Sequence, residues 1–162
     1  MFAHWQVLFL KPRTEKKVAD VCQAYHLPSY LPLQTTTKTY QRRKVIATKP
    51  LFPGYLFVAA TPEQKDVLQR TNHVIRFLVP HRPIRMLRDL VQVRRALRAD
   101  PALRPVSALT KGRRVRITTG PFQGMEGTVT RLASAMRVVL TVDMIGMGVA
   151  VTAEIGQVEP VQ

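Results

Sequence analysis

Four histidines, at positions 4, 26, 73 and 81, lie outside the H-x-x-x-H and H-E-x-x-H spacings that hold a catalytic metal. The ten carboxylates form no close pair within the apolar segments. A single cysteine, Cys22, excludes an intramolecular disulfide and a cysteine-rich zinc site. The glycines from Gly120 to Gly127 lack the lysine-plus-hydroxyl ending of a Walker A loop, and no Gly-x-Ser-x-Gly elbow occurs. No enzymatic activity, metal or cofactor is therefore expected. Cations and aromatics remain. Gln41-Arg42-Arg43-Lys44 sets a basic run among β-branched residues, and KPLFPGYLFV (49–58) gathers Phe52, Tyr55 and Phe57 around a Pro-Gly pair. The chemistry on offer is phosphate contact and apolar docking.

The charge supports the first of these. The 162 residues carry 25 lysines and arginines against 10 acidic residues, a formal +15. Residues 1–98 hold 18 of the basic and 5 of the acidic residues; residues 99–162 hold 7 and 5. A uniform excess kept for solubility would not divide this way. Concentrated positive charge favours a polyanion, and nucleic acid is the expected one. No apolar run approaches a membrane span, and the N-terminus lacks the basic start and apolar core of a signal peptide. A cytoplasmic location is expected.

Elements must position these groups. WQVLFL (5–10) has strand composition and ends at Lys11-Pro12. A helix is expected over 14–25, with Thr14 as N-cap, Glu15 at the positive end, and Val18, Val21, Cys22 and Tyr25 on one apolar face. Cys22 then reads as a buried structural thiol. The prolines in LPSYLP (27–32) exclude a helix, and TTTKTYQRRKVIATKPLF reads as a two-strand excursion with a charged tip. Pro53-Gly54 fits a tight turn, because proline fixes φ at the first central position and glycine accepts positive φ at the second. YLFVAA follows as a strand with Tyr55 and Phe57 on one face, Leu56 and Val58 on the other. A helix over 62–71, a strand over 74–79 and a helix over 84–100 complete an α+β unit. In the last helix Leu87, Leu90, Val91 and Leu97 are candidates for a core face, while arginines 85, 88, 94, 95 and 98 spread over the rest.

Beyond it the pattern changes. DPALRPVS, covering 100–107, reads as a linker, and 108–162 alternates short apolar strands with glycine turns, the pattern of a small closed β-barrel. Gly120, Gly124 and Gly127 are expected to be structural, permitting turns and a bulge.

The opening W-x-V-L-x-x-K-P-R-x-E-K (Trp5 to Lys16), Y-L-P-L at 30–33 and P-L-F-P-G-Y-L-F-V at 50–58 resemble the N-terminal signature of NusG-type transcription elongation factors. K-G-x-R-V-R-I-x-x-G-P-F-x-G-M-E-G-T-V, from Lys111, is similar to the KOW motif of the same family. Order, spacing and coverage of nearly the whole chain make the combined match specific. The resemblance implies an NGN α/β sandwich over 1–99, a linker over 100–107 and a KOW SH3-like barrel over 108–162. It also implies an NGN domain that grips the clamp helices of the largest RNA polymerase subunit and suppresses pausing or termination. The KOW domain would recruit a second partner, a small-subunit ribosomal protein or Rho.

On that resemblance the polymerase-docking surface maps to Phe9, Phe52, Tyr55 and Phe57. Core packing is assigned to Trp5 and Leu56; docking is favoured for Tyr55 and Phe57, since the opposite face carries core residues. Candidates facing upstream or non-template DNA are Lys11, Arg13 and Lys17 at the first helix, and Arg70 with Asn72. The Arg42, Arg43 and Lys44 tip would reach DNA or a polymerase loop, or stand as a solvated hairpin. The KOW partner surface maps to Phe122, Met144, Ile145 and Met147, where the methionines fit either a partner or a small core. A monomer is expected.

Pro50-Leu51-Phe52 and Leu56-Phe57 look closer to the specialised, RfaH-like branch of antiterminators than to housekeeping NusG. A ribosome-associated KOW protein would explain the charge and the barrel without the aromatic patch. A stand-alone nucleic-acid-binding module would explain the charge alone.

Overall fold

A computed structural model of the chain describes residues 3–107, 112–131 and 135–161. The first residues of the expected barrel, 108–111 with the Lys111 that opens the KOW-like motif, lie outside the described residues. The elements in order are β1 (His4–Leu10), α1 (Glu15–Ala24), β2 (Ser29–Tyr30), β3 (Leu33–Tyr40), β4 (Arg43–Pro50), β5 (Tyr55–Ala60), α2 (Pro62–Gln69) and β6 (Val74–Leu78). There follow α3 (Pro83–Ala99), β7 (Pro105–Ser107), β8 (Arg113–Ile117), β9 (Glu126–Arg131), β10 (Met136–Val142), β11 (Met147–Ala153) and β12 (Val158–Pro160). The α+β class holds, with α/β structure first and an all-β region last.

The chain forms two compact units, Met1–Leu33 with Pro50–Pro83, and Gln34–Lys49 with Ile84–Gln162. In the first, an antiparallel sheet has the order β2-β5-β1-β6. Period-2 alternation sends Leu8, Leu10, Leu56, Val58 and Ala60 to one face, where Val18 and Cys22 of α1 and Leu68 of α2 close the core. Each fully buried leucine contributes about 1.5–3 kcal/mol. Burial pushes the Cys22 thiol up to about 11, as suits a structural cysteine. Tyr25, expected on the apolar face of α1, is instead 59% exposed, because it sits at the C-cap where the helical register has ended.

Two helix starts differ in their chemistry. Thr14 makes no side-chain cap; its hydroxyl donates to the Lys11 carbonyl at 2.7 Å and tightens the loop before α1. At α2 a capping box forms instead, with Thr61 accepting from the Gln64 amide and Gln64 accepting from the Thr61 amide.

In the second unit β3 and β4 form a two-stranded ribbon, and six antiparallel strands follow the order β12-β8-β9-β10-β11-β7. Residues 105–107, read from sequence as linker, pair with β11 as a strand. Val115, Ile117, Met125, Val138, Leu140, Val149 and Val151 supply the buried apolar set. A side chain at Gly127 would place its Cβ 2.3 Å from the Val139 carbonyl oxygen, so the approach of backbone here requires glycine.

The buried stripe of α3 is Met86, Leu90, Val93 and Ala96. Of the four residues expected there, Leu90 is buried, Leu87 and Leu97 are half-buried, and Val91 is 56% exposed. The phase set by Met86 and Val93 carries Val91 to the far side.

Candidate functional site

The site begins at the Pro53-Gly54 turn. The Tyr55 amide donates to the Phe52 carbonyl at 3.1 Å and Gly54 has φ +88°, the geometry of a turn with proline then glycine at its centre. Two further bonds fasten it: the Leu10 amide donates to the Gly54 carbonyl at 2.7 Å, and the Gly54 amide donates to the Glu15 carboxylate at 3.1 Å. Glu15 is 6% exposed. Its sequence position suggested only a favourable charge on the helix end, whereas its carboxylate holds the turn 39 residues away. Nothing in the local sequence could have paired the two.

This turn delivers Tyr55 opposite Phe9 in the antiparallel register, with ring centroids 5.4 Å apart and planes tilted by 43°. Both are half-buried. Phe52 and Phe57 are different: 1% and 0% exposed. The expected open pair, Tyr55 with Phe57, is therefore corrected to Phe9 with Tyr55. The reason is depth along the strand. Tyr55 opens β5, while Phe57 lies two residues further in, opposite Val7, which is also fully buried. Both faces of the sheet centre are packed.

The basic candidates of the first unit converge on one edge. The Lys11 amide donates to the His73 carbonyl at 2.9 Å, which ties the end of β1 to the turn after α2. Lys11, Arg13, Arg70 and Asn72 are exposed beside this junction, and Lys17 is exposed in the first turn of α1. Arg13 and Asn72 both hold positive φ, 64° and 61°, so the edge is built from two left-handed corners. None of these four basic side chains has an ion pair among the described residues.

Arg42, Arg43 and Lys44 lie in the second unit, at the end of the β3–β4 ribbon, and are exposed. Its two-residue turn, Gln41-Arg42, has φ of 46° and 65°, the positive pair of a hairpin turn that asparagine and glycine ordinarily fill.

The predicted partner residues of the C-terminal region occupy two loops. Phe122 sits between β8 and β9; Met144 and Ile145 form a 3-10 turn after β10, and Met147 begins β11. All four are half-buried. Both loops touch α3. Gln92 donates to the Glu126 carbonyl and accepts from the Glu126 amide, each at 2.7 Å, and Arg95 donates to the Gln123 carbonyl at 3.3 Å. Arg85 pairs with Asp143 at 2.5 Å, and the Asp89 carboxylate accepts from the Asp143 amide at 3.3 Å. Burial pushes the Asp89 carboxyl up to about 6; the bond from the Asp143 amide and the charges of Arg85 and Arg114 oppose the rise, and the Asp143 charge adds to it. Sequence reading missed this seam, since Gln92 and Asp89 carry no motif.

Among the described residues no group of three or more metal-ligating side chains exists, and no helix is long and apolar enough to cross a membrane. The family model described as transcription termination factor NusG matches residues 3–94. The chain belongs to the NusG family. A solved structure described as showing domain interaction in Thermotoga maritima NusG matches at a TM-score of 0.54 and 19% identity, covering 99% of this chain and 98% of that one. That likeness establishes the shared fold: an NGN-like α/β region followed by an all-β region. As a NusG-family transcription elongation and termination factor the protein is non-enzymatic. RNA polymerase is the partner that the family implies.

Proposed function

We propose that this NusG-family protein docks on the clamp helices of the largest RNA polymerase subunit through the Phe9–Tyr55 pair, and so suppresses pausing or termination. The pair carries the reading: two half-buried aromatics, braced on a turn held by Leu10 and Glu15, present a preformed apolar surface. Phe52 and Phe57 are buried side chains that serve packing rather than contact. The Lys11, Arg13, Lys17, Arg70 and Asn72 edge contacts the phosphates of upstream or non-template DNA, with Arg42, Arg43 and Lys44 at the ribbon tip as a second contact. Residues 1–99 act as the polymerase-binding domain, and 108–162 as the recruiting domain for a ribosomal protein or Rho through Phe122, Met144, Ile145 and Met147. The protein acts in the cytoplasm as a monomer.

The motif PLFPGYLFV and the basic excess of residues 1–98 favour an operon-specific antiterminator over a housekeeping factor. The test is a polymerase pull-down paired with chromatin occupancy. Phe9→Ala with Tyr55→Ala abolishes capture of polymerase, and the wild-type protein occupies few transcription units. Unchanged capture overturns the docking surface, and occupancy of most transcribed genes assigns the housekeeping role.

A further inference from the structure

The α3 arginines have no part in the function proposed above. At 100° per residue the helix divides into three stripes. Met86, Leu90 and Val93 face the core. Arg85 and Asp89 face the turn after β10, and Gln92 faces the start of β9. Ile84, Arg88, Val91, Arg95 and Arg98 form the third, with Arg94 at its margin; all six are exposed.

The carboxylates of this unit are engaged elsewhere. Asp143 pairs with Arg85, and Glu126 with Arg114 and Arg116. Asp89 accepts from the Asp143 amide and Asp100 from the Ala102 amide. Among the described residues no carboxylate pairs with Arg88, Arg94 or Arg98. The third stripe keeps its full positive charge.

Two further facts restrict the polyanion. Every cation of α3 is arginine, five in all, and none is lysine. A guanidinium grips phosphate with a fork and stacks its plane on an unpaired base, which an ammonium cannot do. Val91, 56% exposed, lies amid these arginines and offers apolar contact to a base. Duplex backbone needs neither stacking nor apolar contact. Arg94 and Arg98, one helical turn apart, are separated by about 6 Å along the axis, close to the phosphate step of an extended strand. A membrane does not fit, since the apolar stripe of α3 is already in the core. Transcription, the process this family serves, continually supplies an unpaired RNA strand.

We propose that the arginine stripe of α3, through Arg88, Arg94 and Arg98 around Val91, binds single-stranded RNA. The site shares no residue with the Phe9–Tyr55 pair or with the Lys11–Arg70 edge, and does not depend on polymerase docking.

The test uses the full chain without polymerase. Fluorescence anisotropy follows a labelled single-stranded RNA, the same sequence as single-stranded DNA, and a DNA duplex, across a salt series. R88Q/R94Q/R98Q lowers RNA affinity about tenfold or more and reduces the magnitude of the salt slope by about 2, as expected for three phosphate contacts to a single strand. Duplex affinity changes less than about twofold. R88K/R94K/R98K preserves the salt slope but loses the preference for RNA over duplex. Unchanged RNA affinity in the glutamine variant overturns the proposal. So does an equal loss on duplex, which marks a general phosphate patch, or tighter binding of single-stranded DNA than of RNA. All substituted residues are exposed, so thermal denaturation of the variants should match the parent.

Discussion

Phe9 and Tyr55 face each other across two antiparallel strands, ring centroids 5.4 Å apart, while Phe57, two residues along from Tyr55, is fully buried. The two kinds of aromatic should separate in experiment. Phe57→Ala opens a cavity in the sheet centre and costs about 3–5 kcal/mol. The aromatic pairing of Phe9 with Tyr55 is worth only about 0.5–1.5 kcal/mol beyond area burial. Urea unfolding should rank Phe57→Ala well below Tyr55→Ala in stability. Comparable losses would contradict the assignment of Phe57 to the core.

Glu15 and Gly54 form the second pair to test. Glu15→Ala leaves a buried Gly54 amide without its acceptor, at a cost of about 1–3 kcal/mol. Gly54→Ala forces a side chain into φ +88° and sets its Cβ 3.2 Å from the Phe9 ring, at a similar cost of about 1–3 kcal/mol. Both variants should also weaken polymerase capture, because the same turn positions Tyr55. Full stability in Glu15→Ala would show that the bond is dispensable.

Asp89 predicts a pH dependence. Its folded pKa is raised to about 6 from an ordinary value of 3.8, so the folded state holds the proton more tightly than the unfolded chain. Asp89 therefore opposes stability above pH 6, and this cost disappears as pH falls through 6 towards 4. Asp89→Asn retains an acceptor for the Asp143 amide without the charge. It should melt higher than the parent at pH 7.5, with the difference vanishing near pH 4. Melting curves for the two proteins across that range decide it, and a constant difference would exclude Asp89 as the cause.

The basic edge makes a prediction about salt. Lys11, Arg13 and Lys17, replaced together by glutamine, should reduce the salt slope of DNA binding by about 3 if each meets one duplex phosphate. Binding titrations at several salt concentrations measure it. An unchanged slope would remove these residues from the contact.

Local sequence fixed those features whose causes are local. Pro53-Gly54 determined its turn because proline restricts φ and glycine tolerates the left-handed region. The alternation of YLFVAA determined that Tyr55 and Phe57 share a face, and the family signature placed the aromatics and cations in a NusG-type frame. Alternation sets parity, however, and not what covers a face. Only the tertiary structure could bury Phe57 and leave Tyr55 partly open, since that depends on strand order and depth in the sheet. Likewise the composition of α3 announced its arginines, but the phase of the helix decided that Arg85 meets Asp143 and Arg95 meets Gln123, while Arg88, Arg94 and Arg98 make no ion pair among the described residues. Gln92 with Glu126, and Glu15 with Gly54, are contacts across 34 and 39 residues. Such pairs come into being only when distant elements pack, so no stretch of sequence carries their signature.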